Sequence, residues 1–239
     1  MNPVRDKNLK SSGSPSASVS NGMKRLTRAM SGLTPQEYKK LSRLTTPIKI
    51  QDFLDAIPMN GEKKGDTHMS PRRVLQEQKA HCIEGALLAA AALWIAGEPP
   101  LIMNLSSRLG KGDVDHVVAL YKRAGAWGAI SKTNHASIRF RDPIYRSPRE
   151  LTLSYFHEWF MNENGEKVLE CYSKPLDMRQ FGTEWLTTKK DLWNIADALS
   201  ERKHYFLVPK GNWRYVRRAD PMEIQAGSLI EWSDSDPRT

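Results

Sequence analysis

Cysteine is scarce in this 239-residue chain: Cys82 and Cys171 are the only two. That is too few for a disulfide framework, so a reducing, cytoplasmic setting is the expectation. Long apolar runs are also missing. The longest, residues 86–96, has eleven residues, whereas a bilayer crossing needs about 20. No membrane is expected as a partner. No apolar stretch follows the basic residues near the start, so no secretory signal is expected either. The chain has no G-x-G-x-x-G and no P-loop, which leaves a nucleotide phosphate cradle without support. It also lacks C-x-x-C and H-E-x-x-H spacing. Neither a metal nor another cofactor is expected.

What is present can build a core: 39% apolar residues, with 7 Trp, 7 Tyr and 6 Phe. The net charge of +9 suggests a polyanion partner until it is divided. Residues 1–43 hold nine Lys and Arg against Asp6 and Glu37, a net +7, which leaves +2 for all the rest. A basic tail of this kind is ordinarily a solvated one. Nucleic acid is therefore not an expected partner.

Residues 1–32 are rich in Ser, Gly, Asn and Lys and read as a disordered basic tail. Thr34, Pro35 and Glu37 then form a helix-start signal with capping-box spacing. Ser70-Pro71 opens a short helix. The strongest helix signal runs over residues 82–96, Ala/Leu-rich and apolar nearly all round, stopped by Gly97 and Pro99-Pro100. A helix of that kind belongs at the centre of a domain.

The period then changes. Residues 101–105 (LIMNL), 114–122 (VDHVVALYK) and 127–132 (WGAISK) read as strands, with a tight turn over 123–126. Residues 136–141 could add a strand, and Asp142-Pro143 reads as a turn. Helical spacing returns over 147–160. A helix near 188–203 and strands near 204–208 and 213–218 are expected toward the end. Helix, strands, then helices argue for α+β architecture, a central buried helix packed on an antiparallel sheet. The expected organisation is the tail over 1–32, a core over 33–182, and an extension over 183–239 that completes or flanks the same domain.

Two residues invite chemistry. Cys82 opens the central helix, where unpaired backbone N–H groups and the helix dipole favour thiolate. His116 stands in a strand with Val118 and Leu120 on the same face, and is expected to point toward the Cys82 helix. A thiol beside a base is the activated-nucleophile arrangement. If the hairpin turn centres on Arg123 and Ala124, Ser131 falls opposite His116 and could orient its ring. Asn134 and Asp142 are looser alternatives. The plainer readings are a core cysteine, a half-buried histidine, and a structural Cys171. His81 beside Cys82, with His116 and His135, invites a zinc reading, but no ligand spacing supports it.

These residues resemble the transglutaminase-like superfamily, a branch of the papain-like cysteine fold. The resemblance covers about residues 70–134, through SPRRVLQEQKAHCIEGALLAAAALWIAGEPPLIMNL and DHVVALYKRAGAWGAISKTN. It implies that Cys82 is the nucleophile, His116 the base and Trp127 the hairpin tryptophan. By analogy with papain-like enzymes, Gln76, six residues before the cysteine, would be an oxyanion donor. Two departures stand out. Ser131 occupies the place of the family's Asp, and Ala80-His81 replaces the frequent Gly-Asp before the cysteine. A hydroxyl can hold an imidazole but cannot stabilise imidazolium as a carboxylate does.

The expectation is a cysteine-dependent acyl-transfer enzyme. It would hydrolyse an amide or peptide bond of a protein, peptide or small amide through Cys82 and His116. Ser131 or Asn134 would orient the ring, and backbone N–H groups near Cys82, joined by Gln76, would receive the oxyanion. The alternative is a weakly active or inactive transglutaminase-like module that binds or scaffolds.

Overall fold

The computed structural model describes residues 24–62, 65–108 and 115–232. It is α+β, with an antiparallel sheet and helices on both of its faces. The helices are α1 (Arg28–Ser31), α2 (Pro35–Ser42), α3 (Pro47–Asp55), α4 (Pro71–Glu77), α5 (Cys82–Ala96), α6 (Pro148–Phe156), α7 (Trp193–Ser200) and α8 (Pro221–Gly227). The strands are β1 (Leu101–Ser107), β2 (His116–Arg123), β3 (Ala126–Ser131), β4 (Arg141–Tyr145), β5 (Leu169–Ser173), β6 (Leu176–Asp177) and β7 (His204–Phe206). They lie in the order β4-β3-β2-β1-β5-β7, with β6 also on β1. Among the described residues no helix is long and apolar enough to cross a membrane.

Five helices start with proline behind a capping Thr, Ser or Asp: α2, α3, α4, α6 and α8. Proline is pre-set for the first turn and has no N–H to leave unpaired, and the cap oxygen takes one that would be. At Thr34 and Glu37 the box is complete: Glu37 N donates to Thr34 Oγ1 and Thr34 N donates to the Glu37 carboxylate.

Every residue of α5 from Ile83 to Ile95 is buried. One layer joins it to Leu41 of α2, Ile50 and Leu54 of α3, Val74 of α4, Ile195 of α7, and the Val117, Ala119 and Tyr121 side chains of β2. The other face of the sheet carries Val118, Leu120 and Ala129 under Leu151, Tyr155 and Phe156 of α6. This is the period-two alternation of a strand buried on both faces.

The structure corrects several expectations. Residues 24–32, assigned to the disordered tail, are folded: Leu26 is fully buried and its N–H donates to the Trp94 carbonyl. Arg25 donates to the Ile95 carbonyl, and Trp94 Nε1–H donates to the Lys24 carbonyl. The segment caps the end of α5, where carbonyls lack helical partners. Residues 1–23, the rest of that tail, lie outside the described residues, as do 109–114 and 233–239.

The hairpin turn sits one residue later than expected. Ala124 and Gly125 both have positive φ, 49° and 84°, the two-residue primed turn that matches strand twist. Val118 therefore pairs with Ser131, and His116 is not directly opposite it. Asp142-Pro143 is no turn. It lies inside β4, an edge strand, where a missing N–H is tolerated. The expected strand at 136–141 is accordingly displaced to Arg141–Tyr145, and the one at 213–218 is a single turn of 3₁₀ helix, Asn212–Tyr215. β5, read from no signal in the sequence, is central: it joins β1 to β7.

Candidate active site

Cys82 is the first residue of α5 and is half-buried. His116 is the first residue of β2, buried and aligned with Leu105 of β1. The start of β2 is pinned by the preceding Asp115, whose carboxylate accepts from Ser107 N–H at 3.0 Å and Asn104 Nδ2 at 3.1 Å. By alternation His116 belongs to the Val118 and Leu120 face, which packs on α6 and not on α5. The edge of its imidazole packs on Trp159 at 5.9 Å between centroids. The ring still acts on the Cys82 thiol and lowers its pKa, since both residues stand at the starts of their elements.

His116 Nε2 is 2.7 Å from Ser131 Oγ. The contact is diagonal, made from two residues before the Val118 partner on the same face. Ser131 Oγ in turn donates to the Ile138 carbonyl at 2.8 Å. A hydroxyl has one proton, so Ser131 must accept from His116 Nε2–H. This leaves Nδ1 as the His116 nitrogen free to exchange a proton with the thiol. The Ser131 backbone is itself clamped by Gln51 of α3, which accepts from Ser131 N–H at 2.9 Å and donates to its carbonyl at 2.8 Å.

His81 also approaches the sulfur, its Nδ1 3.9 Å from Cys82 Sγ. His81 Nε2 lies 2.5 Å from the Thr67 carbonyl and 3.4 Å from carboxylate oxygens of both Glu84 and Glu62. Glu84 is the one charge inside α5 and is fully buried. Its carboxylate accepts from His81 N–H at 2.9 Å, Met69 N–H at 3.0 Å, Thr67 Oγ1 at 2.8 Å and Asn60 Nδ2 at 3.1 Å. A buried carboxylate with that many donors is held ionised.

These neighbours set the charges. Burial pushes the Cys82 thiol up, but hydrogen bonds from His116 and His81 and their positive charge outweigh it and bring the thiol down to about 5. Burial pushes His81 down, yet Cys82 and Glu84 raise it to about 11. Burial opposes ionisation of Glu84, and the His81 contacts and backbone donors lower it to about 2. Cys171 is the contrast. It is buried in β5, and burial raises its thiol to about 11. The chemistry such a centre can perform is nucleophilic attack by a thiolate at neutral pH.

Of the residues singled out in the sequence, the structure brings together Cys82, His116 and Ser131. Asn134 sits in the loop after β3, where its carbonyl accepts from Glu231 N–H; its side chain makes no hydrogen bond to His116. Gln76 is exposed on the last turn of α4, and among the described residues it makes no hydrogen bond to the Cys82 centre. Asp142 is exposed on β4. His135 lies outside the pair, half-buried beside Ser137. Among the described residues no group of three His, Cys, Asp or Glu side chains is arranged to hold a metal.

Glu84, Gln51 and the role of His81 escaped the sequence reading. A lone Glu three residues after His81, at the head of an otherwise apolar helix, is a capping-box signal and could have pointed to Glu84. Two hollows border the centre. One, of about 170 Å³, is lined by Trp159 and Ile138, which touch His116 and Ser131. The other, of about 640 Å³, is lined by Asn60, Glu62 and Thr67, which surround Glu84 and His81.

A scan against protein-family models matches none, and a search of curated proteins finds no match.

Proposed function

We propose that the protein is a cysteine-dependent acyl-transfer enzyme of the transglutaminase-like, papain-like kind, hydrolysing an amide or peptide bond. The single observation that carries the reading is the placement of the Cys82 thiol at the head of the buried helix, 3.9 Å from His81 Nδ1 and under the influence of His116, which together bring it down to about 5. The order of elements supports it as well: cysteine helix, strand, histidine strand and hairpin partner follow one another as the resemblance implies.

In this reading the Cys82 thiolate attacks the carbonyl carbon. The C–S bond forms and the carbonyl π pair moves onto oxygen. Backbone N–H groups at the start of α5 are the donors at hand for that oxyanion. The intermediate collapses, the C–N bond breaks, and His116 Nδ1–H gives its proton to the departing amine. Neutral His116 then takes a proton from water, hydroxide attacks the thioester, and the thiolate leaves. Ser131 keeps Nε2 protonated throughout, so that Nδ1 alone exchanges protons.

Ser131 where the family has Asp favours a second reading, a module that has kept the fold and lost turnover. One screen separates them. Chromogenic amides, peptides and esters are offered to the wild type, to Cys82→Ala and to His116→Ala. Turnover present in the first and absent in both Cys82→Ala and His116→Ala is the expected result. Turnover surviving in Cys82→Ala overturns the enzyme reading. No turnover together with an inert Cys82 thiol favours the module.

A further inference from the structure

The two imidazoles that flank Cys82 have different partners. His116 reaches a hydroxyl, which donates its own hydrogen bond to the Ile138 carbonyl, and among the described residues no carboxylate is hydrogen-bonded to its ring. His81 is the opposite case. Its Nε2 faces the Thr67 carbonyl, which can only accept, so Nε2 carries a proton. Two carboxylates, Glu84 and Glu62, stand 3.4 Å from that same nitrogen. Glu84 is fully buried, and moving it is not an option: four donors from the loop at 60–69 and from His81 itself hold it. A buried carboxylate needs a cation, and His81 is the cation within reach. The remaining nitrogen, Nδ1, then carries a proton too and presents it to Cys82 Sγ at 3.9 Å.

From this arrangement we infer that Glu84 and His81 are a fixed ion pair and act as positioning residues, supplying the permanent positive charge beside the Cys82 thiolate, while His116 alone shuttles protons. The inference rests on the reading of Cys82 as nucleophile and deepens it. It explains how the centre works with Ser131 in the place of a carboxylate: the carboxylate has moved to the other imidazole. His81 is not a catalytic residue in this account, because its proton stays on it through the cycle. The other groups that face His81 are consistent with a fixed cation. Glu62 and Glu84 are negative, and Cys82 is negative when ionised. His68, whose ring edges His81 at 5.7 Å and leans on Trp193, is pushed below the ordinary histidine pKa by burial and by the His81 charge.

The test is the pH dependence of iodoacetamide alkylation at Cys82 in wild type, His81→Asn, Glu84→Gln, His116→Ala and the double variant His81→Asn/His116→Ala. The wild type should titrate well below about 8.5, the ordinary thiol value. His81→Asn and Glu84→Gln should each raise the inflection by a unit or more, which slows alkylation at pH 4, below both inflections, about tenfold per unit. His116→Ala should still titrate below the ordinary value, and only the double variant should reach it. The inference is overturned if His81→Asn leaves the wild-type inflection in place, or if His116→Ala alone matches the double variant. An ordinary inflection in the wild type overturns the nucleophile reading instead, so the two failures are distinct. Should the substitutions at 81 and 84 prevent folding, the ¹⁵N shifts of the His81 ring in the wild type decide. Both nitrogens protonated at pH 8 is the expected result, and a neutral ring overturns it.

Discussion

The Ser131 hydroxyl lies 2.8 Å from the Ile138 carbonyl oxygen and is the donor of that bond. The direction matters because it fixes the tautomer of His116 one bond away. Ser131→Ala removes the acceptor for Nε2–H and orphans the Ile138 carbonyl. The loss of one such bond is worth about 1–2 kcal/mol, so kcat should fall roughly tenfold or somewhat more. KM should change little, since Ser131 is buried behind the ring. Steady-state kinetics on any substrate from the screen read this directly. Ser131→Asp should not raise activity, because a carboxylate cannot donate to Ile138 and would face its oxygen.

Gly85 should be intolerant of the smallest substitution. A Cβ there would come within 2.4 Å of the Lys132 Cβ, at the end of β3. Lys132 cannot swing away, since its Nζ donates to the Leu54 and Ile57 carbonyls at 2.8 and 2.6 Å. Helix propensity alone would make Gly85→Ala about 1 kcal/mol stabilising. Overpacking reverses the sign, and a net loss of about 1–3 kcal/mol is expected in denaturant unfolding. Activity should fall as well, because the displaced residue is the neighbour of Ser131.

Glu84 links the site to stability. Breaking its pairing with His81 by Glu84→Ala should cost about 3–5 kcal/mol, the scale for one partner of a buried ion pair. The pH dependence has a definite sign. The Glu84 carboxyl is lowered from 4.5 to about 2, so its contribution is complete above 4.5 and fades as pH falls toward 2. His81 is raised from 6.5 to about 11, so its contribution is complete below 6.5 and fades as pH rises through 11. The stability difference between wild type and Glu84→Gln should therefore be greatest near pH 5 to 6 and narrow on both sides. Thermal unfolding from pH 2.5 to 10 measures it.

How far the sequence can be read differs from element to element, for physical reasons. α5 was legible because nothing but a buried helix suits an eleven-residue apolar run stopped by Gly97. β1, β2 and β3 were legible from alternation and a glycine turn, but the register was set by φ at Ala124 and Gly125, which composition does not reveal. β4 was misread because Asp-Pro signals a turn everywhere except at a sheet edge, and edge status is a tertiary fact. β5 has little pattern of its own and depends on pairing with β1 and β7 for its place. At the site, Cys82 and His116 stood out as residue types. Glu84, Gln51 and the two faces of His81 did not, because their meaning comes from the donors and acceptors that the fold brings to them from residues 51, 60, 67 and 69.

The most direct test of the account uses the two cysteines against each other. Wild-type protein is alkylated with iodoacetamide from pH 4 to 10, and peptide mass spectrometry follows the rate at each site. Cys82 should show an inflection near 5, while Cys171, raised by burial to about 11, should stay unlabelled across the neutral range. A Cys82 inflection at or above the ordinary value of about 8.5, or two cysteines that label together, would contradict a thiolate nucleophile at the head of α5.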